Sequence, residues 1–328
     1  MAKGHKPKKG SRAYWPKKRA KRMYPRLKAR DTIGEVTPLF FAGYKAGMTQ
    51  VSYTDNKKDS ITHGQDIVEP VTIIDCPSIV VCGIKTYKRS SGCSRNVATI
   101  FSEKLAKDLG RKTFLPKKKD NKKALEDAEK DIDNLHDVRL LVHTKPKESG
   151  IGKKKPELFE LHLSGEVKQK LAYAKEKLGS ELKASDVFKG GDWIDVRAIT
   201  KGKGYQGPVK RFGIKVRSRK NQGKRRHVGT MGAVTPSRVL PGKIAQAGQL
   251  GFQARTEYNK RVLQIGTKIE PKGGWVNYGK ITGDYIIISG SVPGPKKRLI
   301  MIRKGIRVKV HRTETVELKN VFLHSQQG

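Results

Sequence analysis

The segment WIDVRAITKGKGYQGPVKRFG, residues 193–213, joins two kinds of sequence. Its first part carries the apolar residues that are typical of a strand: Trp193, Ile194, Val196, Ala198 and Ile199. From Lys201 onward, glycines alternate with cations and large apolar residues are scarce, so this part cannot build a core of its own. Strand character returns at Arg261–Ile265. We therefore expect a strand within residues 187–200 and a long basic looped extension, or finger, over residues 201–258 that returns to the same sheet.

Acidic residues are missing from this loop and from the start of the chain. Residues 196–256 hold fifteen Lys or Arg and no acid, and residues 1–30 hold thirteen and no acid. The two windows supply 28 of the formal net charge of +41 carried by 328 residues. Charge of one sign repels itself in water and needs a dense anion as its partner. Nucleic acid has that charge density, so we predict a nucleic-acid-binding protein.

Residues 1–35 form the second basic segment, and we predict an extended N-terminal arm. Its prolines oppose a continuous helix, and few of its residues could pack into a core. Tyr14, Trp15 and Tyr24 lie among the cations, which suits stacking on bases. We expect both the arm and the loop to become ordered only when RNA surrounds them. A disordered tail that aids solubility is the alternative for the arm.

Short apolar segments separated by Gly, Pro, Asn and Asp predict a mainly β fold. Residues 36–102 are interpreted as the first part of a barrel or compact sheet, and residues 259–328 as its second part with a C-terminal segment. Besides Arg261–Ile265, the predicted strands are Val36–Phe41, Thr49–Tyr53, Val68–Ile74, Ile79–Lys85, Asn96–Phe101, Tyr285–Ser289, Leu299–Arg303 and Val308–His311.

Residues 103–186 have a different character, because they hold more than half of the acidic residues and their charges nearly balance. The apolar spacing of Lys122–Asp137 predicts an amphipathic helix. Ser164 is predicted to cap a second helix that ends at Gly179. Two further segments predict strands, Val138–Thr144 and Glu157–Leu163. We interpret this region as an α/β insertion with an ordinary solvated surface.

Composition argues against a metal site and a membrane protein. The three cysteines, Cys76, Cys82 and Cys93, form no C-x-x-C pair, and zinc would need His63 as a fourth ligand. We expect small thiols in a reducing compartment instead. No apolar run approaches the ~18 residues of a membrane span, and the first thirty residues lack the apolar part of a secretory signal. We expect a cytoplasmic protein without metal, cofactor or self-association.

Gly202, Gly204 and Gly207 spell G-x-G-x-x-G, a pattern that also occurs in nucleotide-binding loops. The context is wrong, because Pro208 and the residues after it do not predict an amphipathic helix. No acid follows at the distance where a ribose would be held. We expect these glycines to let the backbone approach RNA phosphates. His227 is interpreted as an RNA contact or a satisfied polar residue rather than a catalyst.

Two other functions stay open at this point. An RNA-modifying enzyme would use the G-x-G-x-x-G loop for a nucleotide-like cofactor. A DNA-compacting architectural protein would be equally basic. We expect neither, and we expect no enzymatic activity, because the acid-free loop offers no carboxylate base or metal ligand set.

Three motifs in order carry a resemblance to a known family. They are YKAGMT at residues 44–49, GSVPGPKKR at residues 290–298, and the spaced set Phe188, Asp195, Ala198, Thr200, Gly202, Lys203, Gly204, Gly207 and Arg211. With them, the chain resembles the universal large-subunit ribosomal protein L-three family over nearly its whole length. The segment GSRAYWPKKRA at residues 10–20 and the insertion resemble the archaeal and eukaryotic branch, and we favour the archaeal type.

The resemblance implies a translation-protein-type β-barrel built from both ends of the chain, with an arm and a loop that thread into large-subunit rRNA. It implies binding near the 3′ end of that 23S-type rRNA, nucleation of subunit assembly and a loop that approaches the peptidyl-transferase centre. Neighbours implied by the family are the L-fourteen and L-twenty-four-e proteins, and structural Mg ions of the rRNA could lie nearby.

Candidate contacts follow from the two basic segments and from the resemblance. For rRNA we choose Lys17, Lys18, Arg19, Lys21, Arg22, Lys201, Lys203, Lys210, Arg211, Arg217, Arg219, Lys224, Arg225, Arg226 and Arg238. The resemblance places the loop tip at Gly232, Ala233, Val234, Thr235 and Pro236. Relatives often carry Trp where this chain has Val234, which cannot stack on a base as an indole can.

Overall fold

A computed structural model describes residues 12–27, 35–56, 60–116, 121–240, 242–308 and 316–324. Strands dominate these residues, and the predicted mainly β fold with an α/β insertion is confirmed. The strands are β1 (Phe40–Thr54), β2 (Asp66–Asp75), β3 (Ile79–Ser90), β4 (Cys93–Phe101), β5 (Asp137–Thr144), β6 (Leu158–His162), β7 (Glu181–Leu182), β8 (Trp193–Ile199), β9 (Gly202–Gln206), β10 (Gly248–Gly251), β11 (Ala254–Thr267), β12 (Asp284–Ser289), β13 (Leu299–Lys304) and β14 (Leu318–Val321).

Helices are short. The α-helices of the described residues are α1 (Asn121–Lys130), α2 (Val167–Glu176) and α3 (Pro208–Phe212). Single 3-10 turns occur at Arg12–Tyr14, Lys107–Arg111, Ile132–Asn134, Pro146–Glu148 and Ala184–Asp186. Among the helices of the described residues, none combines the length and apolar character that crossing a bilayer requires.

Six strands close into a ring, which we call the barrel. Their order is β1, β2, β12, β11, β8 and β13, and β13 pairs again with β1. Strands from both ends of the chain therefore meet in one closed sheet, as the barrel interpretation required. The apolar residues of β12 and of the second half of β2, from Val71 onward, are almost fully buried, so burial of β-branched side chains explains why these segments form strands.

The start of the barrel corrects one prediction. Val36–Phe41 and Thr49–Tyr53 were expected as separate strands, whereas β1 is continuous from Phe40 to Thr54. The glycines between them do not break the strand. A Cβ on Gly47 would lie only 2.5 Å from Cε3 of Trp275, so this glycine allows the buried indole to pack on the strand.

A second sheet, which we call the side sheet, consists of β4, β3, β5 and β6, and β7 also pairs with β3. β3 and β4 lie in residues 36–102, which we had assigned to the first part of the barrel. They pair with each other and β3 pairs with β5 of the insertion, so the structure places them in the side sheet. Most buried apolar residues of the barrel and the side sheet belong to one core, and Tyr44 of β1 donates to Oγ1 of Thr144 at 3.0 Å.

The two predicted helices of the insertion exist with shorter bounds. The first covers Asn121–Lys130 and is followed by a 3-10 turn, because strand β5 already begins at Asp137. The second begins after Glu166, so Ser164 does not cap it. The Ser164 hydroxyl instead donates to the carbonyl of Glu35 at 2.6 Å. The predicted strand Val308–His311 lies mostly outside the described residues, and Val308 itself is not in a strand.

Asp195 of β8 is fully buried and joins three parts of the barrel. Its Oδ2 accepts hydrogen bonds from Nη2 and Nε of Arg303 in β13 at 3.1 and 3.3 Å. Its Oδ1 accepts from the backbone N–H of Asn259 in β11 at 3.2 Å. Because β8 and β11 are neighbours in the sheet, this carboxylate fixes both strands from which the long loop departs and to which it returns.

A second buried carboxylate, Asp75, lies at the end of β2. Tyr278 donates its hydroxyl to Oδ2 of Asp75 at 2.5 Å. Burial raises the pKa of Asp75 to about 6, and the hydrogen bond from Tyr278 opposes that rise. This site therefore makes part of the stability of the core depend on pH.

The chain divides into two compact units. One contains the barrel and the side sheet, Tyr24–Ala198 with Thr256 onward. The other contains the described residues up to Met23 together with Ile199–Arg255, and we call it the basic unit.

Candidate nucleic-acid interface

A two-stranded ribbon closes the base of the basic unit. β9 pairs with β10 in antiparallel fashion. Next to the ribbon in sequence, the N–H of Thr200 donates to the carbonyl of Gln253 at 3.0 Å, and the N–H of Phe252 donates to the carbonyl of Lys201 at 3.1 Å. The loop of residues 201–258 is therefore pinned at its base by backbone hydrogen bonds, although its sequence lacks core-forming residues.

The G-x-G-x-x-G segment folds as strand β9 followed by the five-residue helix α3. We had expected no helix here. Pro208 stands in the first turn, where its fixed backbone angle favours helix initiation, and Gly213 ends the helix in the left-handed conformation at φ 68°. A helix of five residues remains far shorter than the one that follows the glycine-rich turn of a dinucleotide-binding unit.

The arm does not lie apart from the loop. The Trp15 ring stacks on Phe212 with ring centroids 5.2 Å apart. Nε2 of Gln253 donates to the carbonyl of Pro16, and the N–H of Ala20 donates to the carbonyl of Phe252, both at 2.8 Å. Two segments that are almost 200 residues apart in sequence therefore form one folded unit. We had expected each to become ordered only around RNA, whereas these contacts give both segments an ordering partner within the chain.

These contacts change the expected role of the arm aromatics. One face of Trp15 packs on Phe212, so that face is not free to stack on a base. Tyr24 belongs to the other unit, is only 6% exposed and donates its hydroxyl to the carbonyl of Leu158 at 2.7 Å. Tyr14 is 90% exposed and remains available for stacking. Packing within the protein thus accounts for two of the three aromatic residues.

The predicted contact residues lie in the described part of the basic unit. All of the chosen cations are exposed except Arg211, which is half-buried. Its Nη1 donates to the carbonyl of Gln246 at 2.9 Å, and its guanidinium lies 4.9 Å from the centroid of Phe212. Arg211 therefore holds the loop together, whereas the other chosen cations are exposed residues.

The predicted tip is a tight turn. The N–H and the hydroxyl of Ser237 both donate to the carbonyl of Val234, at 2.5 and 2.8 Å. The residues from Gly232 to Pro236 are exposed, and Val234 shows 87% of its surface. The turn presents an aliphatic side chain that makes no part of the core.

The two units differ in how their charges are paired. In the unit that contains the side sheet, Lys85 lies 2.8 Å from Glu160, and Lys112 lies 2.8 Å from Glu157. Burial alone would raise the pKa of Glu160, but hydrogen bonds from Lys85, Tyr87 and Arg139 lower it to about 2. The basic unit contains no Asp or Glu, so its cations cannot be neutralised within the unit. Its charge is left to an external anion.

Sequence reasoning missed several cations of the same unit. Arg12, Lys215 and Lys243 were not among the chosen contacts, yet the structure places all three around one cleft with Arg217 and His227. The lack of acids in the two windows could have identified them, because it makes every cation of those windows a candidate contact. Which of these cations face one another depends on the folded path of the loop.

Metal ligation has no support in the described residues, which contain no group of three or more His, Cys, Asp or Glu side chains that could hold an ion. Cys76 and Cys82 are buried, and Cys93 is exposed. Burial raises the pKa of the Cys76 thiol well above its usual value and that of Cys82 to about 12. Both buried thiols therefore stay protonated and unreactive at neutral pH.

Comparison with known proteins gives a consistent result. The family model described as Ribosomal protein L3 matches residues 1–328. The chain is 42% identical over 337 residues to the large ribosomal subunit protein uL3 of Methanothermobacter thermautotrophicus, with 100% of both chains covered. It is 41% identical over 336 residues to the uL3 of Methanobrevibacter smithii, again over 100% of both chains. The uL3 of Methanococcus aeolicus is 41% identical over 333 residues, with 99% of both chains covered.

Proposed function

This chain belongs to the ribosomal protein L3 family and is a structural constituent of the large ribosomal subunit, and we propose that it binds ribosomal RNA through the basic unit. Members of the family are structural ribosomal proteins and not enzymes, so an RNA-modifying activity is set aside. The similar archaeal proteins agree with the archaeal type favoured from the sequence.

One observation carries the proposal. Exposed cations from two distant segments lie in a single folded unit that contains no carboxylate. Such a surface concentrates positive potential and attracts a polyanion. When Lys and Arg side chains replace the counterions around the RNA phosphates, the released ions supply a large part of the binding free energy. The protein in turn neutralises phosphates that would oppose close packing of rRNA helices.

The contacts we propose are mostly with phosphate and sugar, so RNA shape rather than base edges sets the specificity. They involve Lys17, Lys18, Arg19, Lys21, Arg22, Lys201, Lys203, Lys210, Arg217, Arg219, Lys224, Arg225, Arg226 and Arg238. Arg211 would contribute mainly by holding the loop in shape, since its guanidinium already donates to Gln246.

Finer details of the proposal come from the family. We propose binding near the 3′ end of the large-subunit rRNA, a role in nucleating subunit assembly, and an approach of the tip, Gly232–Pro236, to the peptidyl-transferase centre. Neighbouring proteins of the L-fourteen and L-twenty-four-e families, and Mg ions held by the rRNA, would complete the surroundings. In this proposal the barrel holds the strands from which the loop starts.

Filter binding of the full chain tests the proposal. We expect a fragment from the 3′ region of large-subunit rRNA to bind more tightly than a 5′ fragment of equal length or duplex DNA of equal charge. Affinity for the rRNA should fall steeply with salt. A flat salt response would contradict the electrostatic basis, and equal affinity for duplex DNA would favour a general DNA-compacting protein.

A further inference from the structure

A cleft of about 350 Å³ lies within the basic unit. Its polar lining consists of Arg12 from the arm and Lys215, Arg217, His227, Thr230 and Lys243 from the loop. Four of these side chains carry a full positive charge, and no acid is present in the unit to offset them. The volume is at the lower end of the range found for pockets that bind small ligands.

Arm and loop build this cleft together through a glycine contact. Gly242 has a φ of +78°, and a Cβ at this position would lie 2.5 Å from Cα of Ala13. The backbone of Ala13 therefore packs directly on Gly242. This contact holds Arg12 and Lys243, the chain neighbours of the two residues, in the wall of one cleft.

Arg217 is positioned by a second close contact. Its N–H donates to the carbonyl of Arg225 at 3.1 Å, which closes a turn in the loop. Its Nη2 would lie 3.0 Å from a Cβ on residue 229, so the guanidinium passes closely over Gly229. The folding of this stretch and of the arm thus brings together cations that are far apart in sequence.

His227 supplies an independent indication of a ligand. Its Nδ1 has almost no exposed surface and finds no hydrogen-bond partner among the described residues. A buried polar atom without a partner costs free energy. The His227 ring also lines the cleft, so an anion bound there would lie next to the imidazole.

We propose that this cleft binds one phosphate group, supplied by a phosphodiester of the rRNA backbone. A phosphate is tetrahedral and offers several acceptor oxygens, which matches cations that converge from several directions and an imidazole that lines the cleft. The inference deepens the proposed rRNA-binding function and rests on it for the source of the phosphate. One RNA phosphate would then contact residues of the arm and of the loop at the same time.

The test uses the full chain labelled with ¹⁵N at histidine and titrated with inorganic phosphate at constant ionic strength, with chloride as the balancing anion. The His227 resonance is assigned by its loss in His227→Gln. We expect a saturable shift of this resonance with phosphate and none with chloride alone. Absence of a saturable shift, or an adventitious response that never saturates, would overturn the proposal.

Paired charge variants test the location. Lys215→Gln with Lys243→Gln should weaken phosphate binding by about tenfold or more, because even one lost charge-assisted hydrogen bond has an effect of that size. The control is Lys220→Gln with Arg255→Gln, which removes the same charge from exposed positions of the same unit that do not line the cleft. The control should change binding by less than about twofold, since surface charges act weakly at a distance in salt. Equal effects of the two pairs would contradict a built site.

Competition identifies the source of the phosphate. A saturating 3′ fragment of rRNA should abolish the response of His227 to inorganic phosphate. If phosphate binds but the bound RNA does not displace it, the cleft takes a free anion and the proposal is wrong. Failure of the unaltered chain to bind the fragment at all would instead contradict the proposed function, and the same titration reveals it.

Discussion

Removal of three adjacent loop charges should change how salt controls RNA binding. Lys224, Arg225 and Arg226 are all exposed, and no carboxylate in their unit can pair with them. Each lost phosphate contact makes the slope of log K against log salt less negative by about 0.7–0.9, so replacing all three by Gln should change the slope by about 2–3. Between about 50 and 200 mM salt, the unaltered chain should then lose roughly 15- to 60-fold more affinity than the variant.

The assay is filter binding to a 3′ rRNA fragment at five or more salt concentrations, with thermal unfolding to show that both proteins are folded. The matched control replaces Lys153, Lys154 and Lys155 by Gln, which removes the same charge from the unit that contains the barrel and the side sheet. Lys153 already pairs with Glu157 there. We expect the control to keep a slope within about 0.5 of the unaltered value. Equal slope changes in both variants would refute the reasoning, because net charge and not the basic unit would then govern binding.

Three further outcomes are expected. The stability of Asp75→Asn relative to the unaltered chain should rise by up to about 3 kcal/mol as pH increases from about 4 to above 6, as measured in denaturant titrations. The pKa of Asp75 is about 6 in the folded chain and 3.8 in the unfolded chain. The unaltered chain is therefore more stable at low pH and loses that stability as the buried acid ionises. A pH-independent difference between the two proteins would contradict this. Gly242→Ala should speed hydrogen exchange at the N–H of Ala20, because the new Cβ would meet Ala13; Gly223→Ala, with a φ of +69° and no atom within 4 Å, is the control and should leave that N–H protected. Val234→Trp should alter translation or antibiotic sensitivity more than subunit assembly, measured by growth assays and sucrose gradients, since an exposed tip can accept an indole without repacking; an assembly defect alone would contradict our placement of the tip.

The strands of the fold were largely predictable from the sequence, because runs of β-branched residues such as those of β12 favour a buried position in a sheet. Their partners were less predictable. β3 follows β2 in sequence and has the same apolar character, yet it pairs with β5, and a choice between two sheets depends on contacts across the whole core. The continuity of β1 was missed because Val36–Phe41 and Thr49–Tyr53 were predicted as separate strands, whereas β1 runs through Gly47, which provides space for Trp275.

The candidate site shows a similar limit. The charge of both basic segments could be found by counting residues, because a lack of acids is visible in the sequence. The docking of the arm on the loop was not visible. Trp15 among cations indicates a base-stacking residue, and only the fold shows that Phe212 occupies its face. The cleft around His227 also depends on the Ala13–Gly242 contact, which joins residues more than 200 positions apart.

A structure of the complete large ribosomal subunit that contains this chain would test the central claim most directly. The measured quantity is the distance from each cationic nitrogen of the basic unit to the nearest rRNA phosphate oxygen. We predict that most of the proposed contact residues lie within about 4 Å of a phosphate oxygen, as an ion pair requires. Arm and loop both lying in open solvent, away from nucleotides, would contradict the account.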